Sequence, residues 1–214
     1  MSNESFTVLS IDIDWCQSHF HIKKLNNLFY SKIAHAKKIV FGRHHHQIIP
    51  HIIDHNDIIL HNLDHHHDIQ YEDWQKTDIE GPNPHITCGC WVGALMYFQK
   101  IKEYYWYKNL NSHVDFSDWM QEVIWNQNNG RLSFFLEDEI DKAEKIESYD
   151  LIFVSQSPEY IAPGQNNSTA SFPLLCLYES YFDCCQVVFP SKTSTSSINP
   201  NLKNVPITIR RTKE

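Results

Sequence analysis

The stretch Asp57-Ile58-Ile59-Leu60-His61-Asn62-Leu63-Asp64-His65-His66-His67-Asp68 decides the fold. An apolar β-type run at 57–60 leads within a few residues to two aspartates and three consecutive histidines. The pattern occurs twice more: Thr7-Val8-Leu9-Ser10-Ile11 gives way to Asp12-Ile13-Asp14, and Lys38-Ile39-Val40-Phe41 leads to His44-His45-His46. Further β-type runs lie at 132–135 and 151–154, with helical stretches between, which is the alternation of an α/β sheet. Ligands of open sheets bind beyond the carboxyl ends of the strands. Three strand ends carrying carboxylate and imidazole therefore predict a site along one sheet edge.

The rest of the chain fits one domain spanning 1–214. Its 214 residues, 42% hydrophobic and 13% aromatic, are enough for a sizeable single core. A covering helix is predicted over 114–125, N-capped by Asp115 or Ser117, with Trp119, Val123 and Trp125 available to a core. Another is predicted from Ser168 or Thr169 through Leu174, Leu177, Tyr178 and Tyr181, an apolar stripe that reads as core. Tyr104-Tyr105-Trp106-Tyr107 reads as a buried strand, 191–200 as a loop, and 205–209 as a last short strand.

A formal charge of −8 opposes attraction to nucleic acid or anionic lipid and favours a cationic substrate. Met1-Ser2-Asn3-Glu4-Ser5 has no basic region and only a short apolar run after it, so neither a secretory signal nor a membrane span is expected, and a cytoplasmic location is. The six cysteines lack paired CxxC spacing and are expected as reduced thiols rather than a zinc site.

In extended backbone alternate side chains share a face, which groups Asp12 with Asp14, and Asp64 with His66 and Asp68. A lone Asp-x-Asp is most often a turn or a cap; the three clusters together carry the reading. With one histidine from 44–46 they form a set of four carboxylates and two imidazoles. That set is too large for one zinc and suits two metals sharing carboxylates. Oxygen-rich, thiolate-free ligation favours Mn(II). Two divalent cations balance four carboxylates, so the metal-free chain is expected to be less stable. The spare histidines His44, His46, His65 and His67 are expected to support or line the site.

These residues resemble a known pattern. Asp64-His65-His66-His67-Asp68 resembles the Asp-x-His-x-Asp signature of the arginase and agmatinase (ureohydrolase) superfamily, and Asp12-Ile13-Asp14 resembles its Asp-x-Asp pair. Arg43-His44-His45-His46 is similar to the segment of its first histidine ligand, with His45 the best match. Cys88-Gly89-Cys90-Trp91-Val92-Gly93 resembles the glycine-bearing substrate loop. Val154-Ser155-Gln156-Ser157-Pro158-Glu159-Tyr160 resembles the strand end that recognises guanidinium. The similarity extends to a small divergent branch that includes the UPF0489 proteins and the peptide arginases of ribosomal-peptide biosynthesis.

The resemblance implies a minimal three-layer arginase-like α/β fold with a mostly parallel central sheet. It implies two Mn(II) ions, with Asp12 and Asp64 bridging, His45 and Asp68 completing one site, and His66 and Asp14 the other. It implies conversion of arginine side chains in a precursor peptide to ornithine, with release of urea. Asp68 as proton relay, His67 and Glu159 would be catalytic, and Gln70, Cys90, Ser155, Ser157 and Glu159 would contact substrate.

The sequence departs from the family in three ways. The Asp-x-Asp pair precedes the Asp-x-His-x-Asp motif, so either the topology is permuted or Asp12 and Asp14 are not that pair. The chain is short, which predicts a more open site. Val92 stands where the family loop carries a proton-shuttling histidine, and Ser155 where it carries the guanidinium-binding glutamate.

Two rival readings compete. Asp64-His65-His66 after an apolar strand, with an N-terminal Asp-x-Asp, resembles the DHH phosphoesterases, against which stand the acidic charge and only 6 glycines. A non-catalytic metal- or peptide-binding module is the other.

Overall fold

Strand β1 (Thr7–Asp12) sits inside an eight-stranded sheet of order β5-β4-β3-β1-β6-β2-β7-β8. The computed structural model describes residues 5–16, 19–69, 85–109, 111–112, 132–137, 140–157, 185–188 and 208–211. After β1 come α1 (His19–Ile33), β2 (Ile39–Gly42), β3 (Ile58–Leu63), α2 (Trp91–Tyr97), β4 (Ile101–Tyr107), β5 (Ser133–Glu137), α3 (Asp141–Lys145), β6 (Leu151–Ser155), β7 (Cys185–Val188) and β8 (Thr208–Arg211). Short 3-10 segments span Ile13–Trp15 and His45–His51. Strands β1 to β6 pair in parallel, while β7 runs antiparallel to β2 and β8 antiparallel to β7.

The central strands are apolar because both of their faces are covered. Leu9, Ile11, Ile152 and Val154 pack on one face with Leu25, Leu28 and Phe29 of α1 and Ala143 of α3. Val8, Leu60, Leu151 and Phe153 pack on the other with Trp91, Val92, Leu95 and Met96 of α2 and Ile48 of the second 3-10 segment. The result is a mostly parallel sheet between two helical layers, as the sequence predicts.

The two covering helices take opposite faces for a topological reason. The chain leaves β1 and crosses past β6 to β2, but leaves β3 and crosses the other way to β4. Right-handed crossovers in opposite directions put their helices on opposite sides. Connections therefore diverge between β1 and β3, which opens the crevice where ligands of such sheets bind.

Strand ends line up at that crevice. Ile11 is in register with Leu63 of β3 and Val154 of β6, and Val154 with Phe41 of β2. Asp12, Ser155 and Gly42 form the next row. Four adjacent strands thus finish level with one another, and the residues just beyond them meet.

Strand β3 runs three residues past the predicted apolar stretch, through His61, Asn62 and Leu63. Its polar members are hidden by aromatic partners on β4. His61 Nδ1 lies 2.7 Å from the Tyr107 hydroxyl and its ring stacks on Tyr105, while Asn62 Nδ2 donates to Tyr104 Oη at 3.2 Å. Burial and the nearby Lys142 lower the His61 pKa to about 4, so it is a neutral core residue. Tyr104 to Tyr107 do form a buried strand, within β4. The helices predicted over 114–125 and from 168 lie outside the described residues. Of the strand predicted at 205–209, the final two residues fall in β8.

Candidate metal centre

Six side chains from three chain segments converge beyond β1, β2 and β3. Asp12 ends β1, and its Oδ1 accepts the Asp14 backbone N–H at 3.2 Å, capping the turn Ile13–Trp15. Asp64 follows β3, and its Oδ1 accepts the His66 N–H at 2.8 Å. The pairing of Asp12 with Asp14 and of Asp64 with His66 therefore comes from two side-chain-closed turns. The extended alternation expected from the sequence stops at the strand ends.

His45 stands at the start of its 3-10 segment, pinned from both sides. Gln47 Oε1 accepts the backbone N–H of Arg43 and His44 at 2.8 and 3.0 Å. Gly42 is required there, since a Cβ would lie 2.5 Å from Phe153 Cζ, and the Phe153 ring lies parallel to the His45 imidazole. His45 Nε2 lies 2.6 Å from Ser10 Oγ. Its other nitrogen, Nδ1, faces Asp12 Oδ2 at 3.2 Å, Asp64 Oδ2 at 2.9 Å and Asp68 Oδ2 at 3.0 Å.

A second group forms beside the first. His66 Nδ1 lies 3.1 Å from Asp14 Oδ2 and 3.9 Å from Asp64 Oδ1. Ligand atoms of Asp12, His45 and Asp64, and likewise those of Asp14, Asp64 and His66, all lie within 4.8 Å of one another. Asp64 belongs to both groups, presenting Oδ2 to one and Oδ1 to the other.

The donor set fits divalent cations. His45 Nδ1 is buried within reach of three carboxylates yet makes a well-directed hydrogen bond with none, and Asp14 Oδ2 is likewise buried without one. One N–H cannot serve three acceptors. Separations of 2.9–3.2 Å between donor atoms match the roughly 3.0 Å between neighbouring ligand atoms around a six-coordinate ion with ~2.1 Å bonds. Ligand atoms of Asp12, His45 and Asp64 are thus close enough together to share one ion.

Electrostatics say the same. Asp12, Asp14, Asp64 and Asp68 are all buried, Asp64 completely. Burial, then the charge of Asp68, pushes the Asp64 carboxyl up to about 7. Burial, then Asp64, raises Asp14 to about 6, and burial followed by Asp14 raises Asp12. The histidines respond in kind. Burial alone would lower His45, but Asp12, Asp64 and Asp68 hold it well above its ordinary value. The His66 pKa rises to about 9 against its own burial, chiefly through Asp14. The cluster binds extra protons where cations would otherwise supply positive charge.

The Asp64–Ile69 segment is clamped by aromatic donors that the sequence reading did not identify. Trp106 Nε1 donates to the Asp64 carbonyl at 3.0 Å, and Tyr104 Oη to the His67 carbonyl at 2.8 Å. Trp91 Nε1 donates to Asp68 Oδ2 at 2.6 Å, while the Val92 and Gly93 N–H groups donate to the Asp68 carbonyl at 3.0 and 3.2 Å. These contacts hold Asp68 at φ 52°, in the left-handed region. Ser10 was the legible omission, because it lies on the Asp12 face of β1, two positions earlier.

All six predicted ligands are brought together, including the N-terminal pair whose order is inverted relative to the resembled family. Asp12 groups with His45 and Asp64 and not with Asp14 and His66, and its Oδ1, like Asp64 Oδ1, also closes a turn. Predicted substrate and catalytic residues fare differently. Ser155 and Ser157 are fully buried. Ser157 Oγ donates a short hydrogen bond to Asp12 Oδ2 and lies 2.8 Å from Ser155 Oγ, so the two hydroxyls are engaged with Asp12 and with each other. His67 is buried, its Nδ1 accepting the Ile69 N–H at 3.1 Å and its ring edge-on to Trp106. Cys90, expected in a substrate loop, is a buried helix N-cap whose Sγ accepts the Thr87 N–H at 3.0 Å, and Trp91, Val92 and Gly93 form the first turn of α2. Gln70 and Glu159 lie outside the described residues. His65 Nδ1 lies 3.1 Å from Asn109 Oδ1, and His46 Nδ1 3.2 Å from Cys88 Sγ.

No protein-family model matches the chain, and neither a curated protein nor a solved structure matches it. Fold and site together define an α/β protein with a paired carboxylate–imidazole cluster at the carboxyl edge of its sheet. No helix among the described residues is long and apolar enough to cross a membrane.

Proposed function

We propose that this protein is a dinuclear manganese hydrolase that converts arginine side chains of a precursor peptide to ornithine, releasing urea. The observation that carries the two-ion reading is the division of the Asp64 carboxylate, one oxygen toward each donor group. Asp12, His45, Asp64 and Asp68 would hold one ion, and Asp14, Asp64 and His66 the other. When bound, such a pair makes water acidic enough to attack near neutral pH and stabilises developing negative charge.

Guanidine hydrolysis adds water to the guanidinium carbon and breaks one carbon–nitrogen bond. The cationic side chain and water become an ammonium ion and neutral urea, so charge is conserved. The chain must supply a proton carrier between the water and the leaving nitrogen. Asp68 takes that role: its Oδ2 is held by Trp91 and faces His45, leaving Oδ1 as the atom that accepts the proton and returns it. Ser10 and Ser157 orient His45 and Asp12. A cationic substrate suits a net charge of −8. Glu159 is the proposed partner of the guanidinium, with Gln70 a second contact. The preference for a peptide over free arginine rests on the family resemblance.

The test is urea release by Mn(II)-loaded protein from an arginine-containing peptide and from free arginine. Urea with a peptide mass loss of ~42 Da per arginine, absent in Asp68→Ala, is the expected result. Bound metal without urea from either substrate would remove the guanidine-hydrolase reading, and turnover of a phosphodiester in its place would establish the DHH-type alternative.

A further inference from the structure

The sequence Cys88-Gly89-Cys90-Trp91-Val92-Gly93 stood out as a candidate substrate loop, yet its last three residues are helical and directed at Asp68. Gly93 lies so close to the preceding segment that a Cβ would come within 2.0 Å of the Ile69 carbonyl oxygen. That approach lets the first turn of α2 give two backbone N–H groups to the Asp68 carbonyl, and it sets the Trp91 indole against the Asp68 side chain. Trp91 is fully buried, and its ring centroid lies 4.8 Å from that of His45. One indole therefore touches two members of the same donor group and none of the other.

We infer that Trp91 is a positioning residue for the His45 half of the centre: its N–H fixes the Asp68 carboxylate with Oδ2 turned to His45 and so sets the cation affinity of that half alone. The inference rests on the two-ion reading. Physically, a carboxylate can rotate about its last bond, and a ligand that must be immobilised on binding costs affinity. Indole is a donor only, so it cannot compete for the ion, and being neutral it leaves the charge balance unchanged. Groups that orient ligands from behind in this way are worth about 10–100-fold in metal affinity.

The experiment is a Mn(II) titration of wild type and Trp91→Phe by calorimetry, with the count of bound ions checked by electron paramagnetic resonance. Phenylalanine keeps most of the ring packing and deletes the donor. The expected result is two ions in both proteins, one of them bound about 10–100-fold more weakly in the variant and the other unchanged. Two ions bound by the variant as tightly as by wild type would overturn the role of Trp91 while leaving the centre intact. Fewer than two ions in wild type would overturn both. Should Trp91→Phe fail to fold, the indole N–H resonances of ¹⁵N-labelled wild type answer the question during titration with diamagnetic Zn(II). The Trp91 signal, assigned through its contacts with His45, is expected to shift with one binding event and not the other; a shift with neither, or with both equally, would contradict the inference.

Discussion

Asp64 Oδ2 lies 2.9 Å from His45 Nδ1, both atoms fully enclosed, although β3 and β2, the strands that deliver them, are separated in the sheet by β1 and β6. Contact across two intervening strands is possible because all four end level and the connections turn inward over them. A buried acid and a buried imidazole could satisfy each other as a simple pair. Here the same nitrogen also faces Asp12 and Asp68, which makes the arrangement a donor shell.

The first prediction concerns the metal-free protein and pH. Asp64 and His66 have folded pKa values raised to about 7 and about 9. A raised group contributes stability that is fully present below its unfolded pKa and lost as pH rises through the folded value. His51 and His61, lowered to about 4, change their contribution only below pH ~6.5. Between pH 6.5 and 9 the melting temperature of the chelator-treated protein should therefore fall. Mn(II) should raise it, and more at pH 8.5 than at pH 6.5, because cations and protons compete for the same atoms. Differential scanning fluorimetry across that window checks both slopes.

The two halves should be separable. His66→Ala removes a ligand from one donor group only, so dialysis against Mn(II) followed by elemental analysis should find one ion where wild type holds two. The metal-free variant should be less stable than wild type below pH 9 and show a shallower fall between pH 6.5 and 9, because protonated His66 is the partner of the buried Asp14 carboxylate.

Gly93→Ala should be far more disruptive than its size implies. The added methyl meets a backbone oxygen that cannot swing aside, so the helix or the 68–69 segment must shift. A cost of about 3 kcal/mol is expected, equivalent to a fall in melting temperature of roughly 6–12 °C. Mn(II) affinity should weaken as well, which a calorimetric titration at a temperature where the variant is folded would register.

Ser157→Ala deletes the short hydrogen bond to Asp12 and leaves Ser155 without its partner. Loss of a buried bond to an ionised group predicts about 1.5–3 kcal/mol of destabilisation in urea titrations of the Mn-loaded protein. Were Ser157 a guanidinium contact instead, stability would hardly change and only the KM for substrate would rise.

The candidate ligands were legible in the sequence because each follows an apolar strand, and strands of a parallel sheet end on a common edge. What the pattern could not convey is how each ligand is aimed. The strand pattern did not show that Asp12 and Asp64 each also close a turn through Oδ1. Ser155 is in register with Asp12 and Ser157 follows two residues later, and the pattern could not show that both hydroxyls are buried, turned to each other and to Asp12. Trp91 and Trp106 are separated from Asp68 and Asp64 by 23 and 42 positions, and nothing local marks an indole as a hydrogen-bond donor to a distant loop. His61 and Asn62 masked the length of β3 because their partners are tyrosines on a neighbouring strand.

The most direct test of the account is the number of ions held through Asp64. Wild type and Asp64→Ala, both loaded with Mn(II) and freed of excess by gel filtration, are compared by elemental analysis alongside circular dichroism to verify the fold. Two ions per wild-type chain, and loss of both in the folded variant, are predicted from a carboxylate that serves both groups. A single ion in wild type, or a variant that keeps one ion at undiminished affinity, would contradict it.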